Sequence, residues 1–167
     1  MKNKTLELFK AENVSELGEK LYDCVQKDDI EKMDKFCELV ENDLSKDWLQ
    51  MIYQYYQADR KEKKQDYTPK CLCKFLSKLI GESDETIDMC AGSGALTIQR
   101  WLEYKDMNFV LYEIDENVIP YLIFNMAIRN ISAIVKQHDV LENETIKEWK
   151  IVKGERYGKI SNIKSTI

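Results

Sequence analysis

The sequence lacks several features that would have pointed to particular classes of protein. No apolar run is long enough to cross a bilayer, and the first five residues lead into a polar stretch rather than a signal peptide. The net charge of −5 provides no excess of positive charge for gripping nucleic-acid phosphates. These absences predict a soluble, cytoplasmic protein that does not bind DNA strongly by itself.

Histidine and cysteine are also too sparse, or too poorly spaced, to suggest a metal site or a nucleophile. His138 is the only histidine, and no serine or cysteine nucleophile pattern accompanies it. The five cysteines include no two pairs at Cys-x-x-Cys spacing, and Cys71 and Cys73 would point to different sides of a helix. We therefore expect no metal, and thiols that are buried or half-buried in a reducing cytosol.

The composition that remains is that of an ordinary globular protein, with 44% apolar and 33% charged residues in a chain of 167. Apolar stripes at helical spacing predict a helical region over residues 1–65, with Ser15 capping one helix and Asp28 and Asp29 starting the next. We expect residues 66–167 to form an α/β domain.

The first helix of this domain should start at Thr68-Pro69 and end at Gly81. Its buried face should consist of Leu72, Phe75, Leu76 and Leu79. The apolar run at 108–112 should form a strand that is covered on both faces, because it is almost continuously apolar.

Two features of the helical region allow a contact with nucleic acid. The run Arg60-Lys61-Glu62-Lys63-Lys64 is either a solvated helix end or a phosphate-facing patch. The tyrosines at 53, 55 and 56 could stack bases, although aromatic residues at this spacing more often belong to a core or an interface.

The clearest local pattern begins at Asp88 and reads Asp-Met-Cys-Ala-Gly-Ser-Gly-Ala. It follows a short apolar run and precedes an amphipathic segment, which predicts a strand, a glycine turn and a helix. Gly92 and Gly94 let the backbone turn sharply and approach a ligand, and the helix start offers unpaired N–H groups. The pattern therefore predicts a site for a nucleotide-type ligand.

Acidic residues around this turn favour S-adenosylmethionine (SAM). Asp88, at the end of the strand, would repel the pyrophosphate of a dinucleotide but attract the ammonium and sulfonium groups of SAM. The third glycine of a dinucleotide fingerprint is missing. The next apolar run, 108–112, ends at Glu113, about 20 residues beyond the turn, where an acid would reach a ribose diol. A solvent-facing acid at a strand end is the plainer alternative for Glu113.

The segment from 66 to 141 resembles the adenine-N6 DNA methyltransferases, particularly the modification subunits of type I restriction systems. Five pieces match in the order and spacing of that family. They are Tyr67-Thr68-Pro69, Asp88 to Gly94, Tyr112-Glu113-Ile114-Asp115, Asn125-Met126-Ala127, and His138-Asp139-Val140-Leu141. The resemblance implies a Rossmann-like, doubly wound class I methyltransferase fold with SAM as methyl donor and DNA adenine as acceptor.

The resemblance also assigns cofactor-binding roles. It places Tyr67, Thr68 and Pro69 beside the methionine end of SAM, although Thr68-Pro69 alone reads as a plain helix start with a hydroxyl cap. It gives Ile114 the role of an apolar plate for the adenine ring and Asp139 that of acceptor for the adenine amine. The full set of expected SAM-binding residues is Tyr67, Thr68, Pro69, Asp88, Cys90, Ala91, Gly92, Ser93, Gly94, Glu113, Ile114, Asp139 and Val140.

One part of the family pattern is missing. The family's Asp/Asn-Pro-Pro-Tyr/Phe motif, which holds the target amine, has no counterpart here, since the only prolines are Pro69 and Pro120. We therefore expect a truncated fold with no catalytic residue set of its own. Residues 148–160 instead alternate as a β-hairpin, in which Trp149 and Tyr157 should belong to the core or cover an edge of the sheet. We expect that hairpin to pair with, or cover, the sheet edge where the catalytic strand would start.

Three functional hypotheses follow. In the first, the chain binds SAM but cannot methylate DNA alone; in a close variant, a partner chain supplies the missing strands and the contact with DNA. In the second, it is a non-enzymatic interaction or regulatory module, which could self-associate through its N-terminal helices. In the third, it binds a dinucleotide, against which Asp88 and the missing glycine argue.

Overall fold

The computed structural model describes residues 1–56 and 68–165, in which seven helices accompany a five-stranded sheet. This is the mixed α/β architecture that the sequence predicts. No helix within these described ranges is long and apolar enough to cross a membrane. The elements are α1 (Lys2–Phe9), α2 (Val14–Gln26), α3 (Ile30–Leu39), α4 (Trp48–Tyr56), α5 (Lys70–Ile80), β1 (Glu85–Asp88), α6 (Ala95–Glu103), β2 (Asn108–Glu113), α7 (Ile119–Ile128), β3 (Ala133–Asp139), β4 (Glu144–Val152) and β5 (Lys159–Ser165).

The N-terminal helices start at side chains that accept backbone N–H groups. Asp29 caps α3 by accepting the N–H of Lys32 at 3.1 Å, as predicted. Asn13 caps α2 through the N–H of Glu16 at 3.0 Å. The prediction of Ser15 as the cap was wrong, because the helix already begins at Val14.

Helices α1 to α4 bury their apolar faces in the same core as the sheet. Phe124 of α7 makes edge-on contacts with Phe9 of α1 and Phe36 of α3, at ring-centroid distances of 5.4 and 5.2 Å. The Tyr121 hydroxyl donates to the carbonyl of Val14 at 2.7 Å. The helical region therefore packs directly on the α/β part. The expected boundary at 65/66, the basic run at 60–64 and Tyr67 lie outside the described residues.

Strands β1, β2 and β3 are parallel, and the sheet order follows the chain order. Alternate residues of β2 are buried: Phe109 and Leu111 lie in the core, while Val110 and Tyr112 are half-buried. The expected burial of β2 on both faces was therefore wrong for the part of the chain that the structure describes. The connections from β1 to β2 and from β2 to β3 run in the same direction across the sheet. Because such crossovers are right-handed, α6 and α7 lie on the same face of the sheet and neither covers the other face.

The C-terminal hairpin exists but lies at the opposite edge from the one expected. Strand β4 pairs antiparallel with β3, and β5 continues the sheet from β4. In a doubly wound sheet the fourth strand sits beside β1. Among the described strands, β1 pairs with β2 alone, so the hairpin does not cover that edge. Trp149 and Tyr157 are both buried, as predicted.

Helix α5 presents the reverse of the expected face. It packs on α6 through the buried small residues Cys73 and Ser77, whereas Leu72, Phe75 and Leu79, predicted to be buried, are exposed. Pro69 occupies its N-cap position without a side-chain bond, so the prediction of Thr68 as the cap was wrong. Gly81 ends the helix with a φ of 74°, as predicted.

Candidate ligand site at the strand ends

The glycine turn between β1 and α6 uses backbone conformations that favour glycine. Gly92 and Gly94 have φ values of 55° and 98°, in the left-handed region. A Cβ on Gly94 would lie 2.9 Å from Cε of Met126 and 3.0 Å from Cδ1 of Leu122, both on α7. The second glycine therefore serves the close packing of the turn against α7 as well as the turn itself.

Strand β2 holds the other side of the turn. The N–H of Ala91 donates to the Tyr112 carbonyl at 2.9 Å, and the N–H of Gly92 donates to Oε2 of Glu113 at 2.8 Å. The other oxygen of Glu113, Oε1, accepts the N–H of Asp115 at 2.8 Å. The structure thus brings Glu113 beside the glycine turn. Each of its oxygens keeps capacity for a further hydrogen bond, because a carboxylate has about four acceptor positions.

An acidic residue ends each of the three parallel strands: Asp88 on β1, Glu113 on β2 and Asp139 on β3. Oδ1 of Asp88 accepts the N–H of Cys90 at 3.3 Å, and Oδ1 of Asp139 accepts the N–H of Leu141 at 2.9 Å. None of the ion pairs formed between described residues involves these three acids. Their negative charge is therefore held at this edge by backbone N–H groups rather than by basic side chains.

The pKa values of the two acids nearest the turn are raised. Burial raises the pKa of Asp88, and the N–H of Cys90 offsets this only in part. Burial also raises the pKa of Glu113, against the N–H groups of Asp115 and Gly92. A cationic ligand would stabilise the ionised form of both groups and so lower their pKa values again.

Exposed apolar side chains follow these acids along the chain. Met89 is 52% exposed, Ile114 is 55% exposed and Leu141 is 91% exposed. Apolar surface beside convergent polar groups is typical of a small-molecule site. The strand ends therefore combine negative charge with apolar surface, a combination that suits a ligand with a cationic group and a flat ring.

Two further residues of the expected site, Thr68 and Pro69, lie at the start of α5. The thiol of Cys73 donates to the Thr68 carbonyl at 3.6 Å. Burial and, after it, the charge of Asp88 raise the pKa of this thiol to about 11. Thr68 and Pro69 are exposed there, while Tyr67, the remaining residue of this predicted turn, is not described.

The other expected site residues differ in what they offer to a ligand. Cys90 is exposed, as is Cys71 on α5, so the expectation of buried or half-buried thiols was wrong for these two cysteines. Val140 is half-buried. Ala91 and Gly94 are buried within the turn. Ser93 is fully buried, so its side chain faces the protein interior rather than the open edge.

Sequence reasoning missed the residues that hold Ser93. Its hydroxyl donates to Oδ2 of Asp47 at 2.6 Å, and the side-chain amide of Asn125 donates both to Oδ1 of Asp47 at 2.9 Å and to the Ser93 carbonyl at 2.8 Å. Asp47 precedes Ser93 by 46 residues. An acid just before an apolar helical run indicates a helix cap, but nothing local indicates this contact.

Arg129 of α7 extends the same buried network. Its guanidinium donates to the carbonyls of Leu44 at 3.0 Å and Lys46 at 2.7 Å, and to Oδ1 of Asn125 at 2.9 Å. Burial raises the pKa of Asp47, while the Ser93 hydroxyl and the charge of Arg129 oppose that shift. Segment 44–47 is therefore fixed to α7 and to the glycine turn by one connected set of hydrogen bonds.

Parallel strands, a glycine turn at a helix start and acids at neighbouring strand ends define an α/β protein with a candidate ligand site at the carboxyl edge of its sheet. The model of the family "N-6 DNA Methylase" matches residues 40–156, which is more than two thirds of the chain. The chain therefore belongs to the N-6 DNA methylase family, and its function is related to DNA methylation. No curated protein and no solved structure matches the chain.

The range of the match confirms the resemblance and extends it. It begins at Val40, at the end of α3, and so includes Asp47 and all of α4. The helices that support the glycine turn are thus partly inside the matched segment.

Proposed function

We propose that these residues form the SAM-binding half of a Rossmann-like methyltransferase fold. The order β3-β2-β1, with two crossover helices on one face, corresponds to one half of a doubly wound sheet. The site that we propose lies at the carboxyl ends of these strands, where such sheets bind their ligands. When bound, SAM would supply the methyl group for transfer.

A single observation carries this proposal: three acids without basic partners among the described residues end three adjacent parallel strands around a glycine turn. Asp88 attracts the cationic groups of SAM, and Glu113 accepts hydrogen bonds from the ribose hydroxyls of SAM. Ile114 covers one face of the adenine, and Asp139 accepts a hydrogen bond from the adenine amine. A pyrophosphate would meet repulsion from the same acids, so a dinucleotide fits less well.

We propose further that these 167 residues do not methylate DNA by themselves. They contain no Asp/Asn-Pro-Pro-Tyr/Phe motif, since their two prolines are Pro69 and Pro120. Methylation of adenine in duplex DNA requires the base to be flipped out and held, at a cost of a few kcal/mol. None of the described residues forms a pocket that we can assign to a flipped base.

Ligand binding by the purified protein tests the donor site. We expect SAM and S-adenosylhomocysteine to bind, as measured by calorimetry, and NAD not to bind. Asp88→Asn should weaken the binding of SAM at least about tenfold. It should weaken the binding of S-adenosylhomocysteine less, because that ligand has no sulfonium charge. Asp106→Asn is the control, because it removes a carboxylate just before β2, at the other end of the sheet. Its ion pair with Lys153 is exposed and should contribute little to stability.

Equal losses for the two ligands in Asp88→Asn would contradict the proposed role of Asp88. Binding of NAD instead of SAM would favour the dinucleotide hypothesis. Absence of binding by all three ligands would favour a non-enzymatic interaction module. Methyl transfer to adenine-containing DNA by the purified chain would refute the second part of the proposal.

A second candidate is a split enzyme, in which another polypeptide supplies the acceptor half and the contact with DNA. Its support is the edge of β1, where no second described strand pairs, together with the exposed apolar residues of α5, which include Phe75 and Leu79. A second copy fits this edge poorly, because Asp84, Glu85 and Asp88 would meet the same acids. We therefore favour a different chain, with an apolar strand that carries basic residues.

Methyl transfer distinguishes this candidate from a regulatory module. A complex with such a chain should methylate adenine in DNA, whereas a regulatory complex should not. Self-association through the N-terminal helices stays a prediction, and the apolar faces on which it would depend are already buried within the chain.

A further inference from the structure

Asp47 connects three parts of the chain at one buried point. Its Oδ1 accepts the backbone N–H groups of Leu49 at 3.1 Å and Gln50 at 2.9 Å, at the start of α4. The same oxygen accepts the side-chain amide of Asn125 on α7, and Oδ2 accepts the Ser93 hydroxyl in the glycine turn. A single carboxylate thus fixes the position of α4, α7 and the turn relative to one another.

The other residues of the turn are held by β2 and α7. On the β2 side it is held by the N–H groups of Ala91 and Gly92, and at its helix end by Gly94, which packs on α7. Ser93 lies between these points, and its side chain and carbonyl both enter the network of Asp47 and Asn125. Removal of that network would free the centre of the turn while its two ends stayed in place.

We infer that Asp47 is a positioning residue for the glycine turn, through which the N-terminal helices set the geometry of the SAM site. It acts through Ser93 and has no contact of its own with the open edge, because both residues are buried. The inference depends on the proposed function for its ligand. The order of the turn itself can be measured without any ligand.

The first measurement is hydrogen exchange of the turn amides in the ligand-free protein. The N–H groups of Ala91, Gly92 and Gly94 are all hydrogen-bonded, so their exchange reports how well the turn is held. We expect Asp47→Ala and Ser93→Ala to speed this exchange at least about tenfold, the loss expected for a hydrogen bond to a charged group.

The matched control is Tyr121→Phe. It also removes one buried hydroxyl bond between α7 and the helical region, to the Val14 carbonyl, but at a place away from the turn. It should lower the melting temperature and leave both the turn amides and the affinity for SAM unchanged. If Asp47 only stabilises the fold, Asp47→Ala should behave like this control: a lower melting temperature with unchanged exchange of the turn amides and unchanged affinity for SAM.

The second measurement is the dissociation constant for SAM, taken at a temperature where every variant is folded. Asp47→Ala and Ser93→Ala should raise it at least about tenfold. The dissociation constant of Asp47→Asn should stay within about threefold of the wild-type value. The side-chain oxygen of the asparagine can still accept the backbone N–H groups of α4, and its amide can donate to the Ser93 hydroxyl. If Asp47→Ala does not fold, Ser93→Ala and Asp47→Asn decide the question.

The outcomes separate the two proposals. Unchanged exchange of the turn amides in Ser93→Ala, or an equal change in Tyr121→Phe, overturns the role of Asp47. If the wild type does not bind SAM, the proposed function fails and hydrogen exchange alone decides the positioning role. Faster exchange with an unchanged dissociation constant would also overturn the inference, since the turn would then be freed without consequence for the ligand.

Discussion

At the scale of single residues, the candidate site contains two carboxyl groups whose ionised form is disfavoured by burial in the folded chain. Burial raises the pKa values of both Asp88 and Glu113, so each carboxylate costs stability at neutral pH that a neutral side chain would not. Such costs are common at functional sites, where affinity for a ligand offsets them. The sequence predicted both acids, because each directly ends an apolar run at a fixed distance from the glycines.

The pH dependence of SAM binding should show these raised pKa values. Protonation removes the negative charges that attract the ligand, so affinity is present above the raised pKa values and falls as the pH drops through them. The fall should therefore begin above the ordinary carboxyl range of about pH 4. Calorimetry across pH measures it, and Asp88→Asn should flatten the profile. An affinity that stays constant until the ordinary range would contradict the role of both acids.

At the scale of elements, α5 was predicted correctly as a helix, but the face predicted to be buried was the wrong one. Its apolar stripe predicted burial of Leu72, Phe75 and Leu79, yet the helix is held by its small residues and by a buried arginine. The guanidinium of Arg100 donates to the carbonyls of Ser77 at 2.9 Å and Gly81 at 2.6 Å. These bonds fix the end of α5 on α6 and leave its apolar side facing outward.

Substitution of two phenylalanines tests this orientation. Phe75 is 60% exposed and Phe109 is 1% exposed. In the isolated chain, Phe75→Ala should change the free energy of unfolding by less than about 0.5 kcal/mol, whereas Phe109→Ala should lower it by about 3–5 kcal/mol. Urea denaturation measures both values. A large loss in Phe75→Ala would show that α5 buries its apolar stripe after all.

At the scale of the whole molecule, the helical region and the sheet form one hydrophobic core. Phe36 of α3 packs on Phe124 of α7, and the indole N–H of Trp149 on β4 donates to the Tyr22 hydroxyl on α2 at 3.2 Å. The family match also spans both parts, since it begins just after α3 and continues through α4 into the sheet. The helices at the start of the chain are therefore part of the unit that holds the glycine turn.

A core substitution in the helical region should consequently unfold the sheet as well. Phe36→Ala should lower the free energy of unfolding by about 3–5 kcal/mol. Tryptophan fluorescence and far-UV circular dichroism should follow a single coincident transition in the variant. Met51→Ala, at an exposed position of α4, is the control and should change little. Two separate transitions would show that the helical region unfolds independently.

The sequence by itself determined the order of the elements, the glycine turn and the acids at the strand ends. Each of these depends on residues close together in the chain, such as Gly92 and Gly94 in the turn or Glu113 at the end of an apolar run. Local signals of this kind survive without knowledge of what packs against them. The family could be recognised for the same reason, because its motifs are short and local.

Only the tertiary structure decided which edge the hairpin occupies, which face α5 exposes, and how Asp47 reaches Ser93. Each is a choice between partners far apart in sequence, and the pattern along one element fits either choice. The alternating residues of β4 suit any free edge of the sheet, and the apolar stripe of α5 does not say whether a partner covers it. Contacts between distant segments resolve these choices through shape and hydrogen bonding that no local pattern encodes.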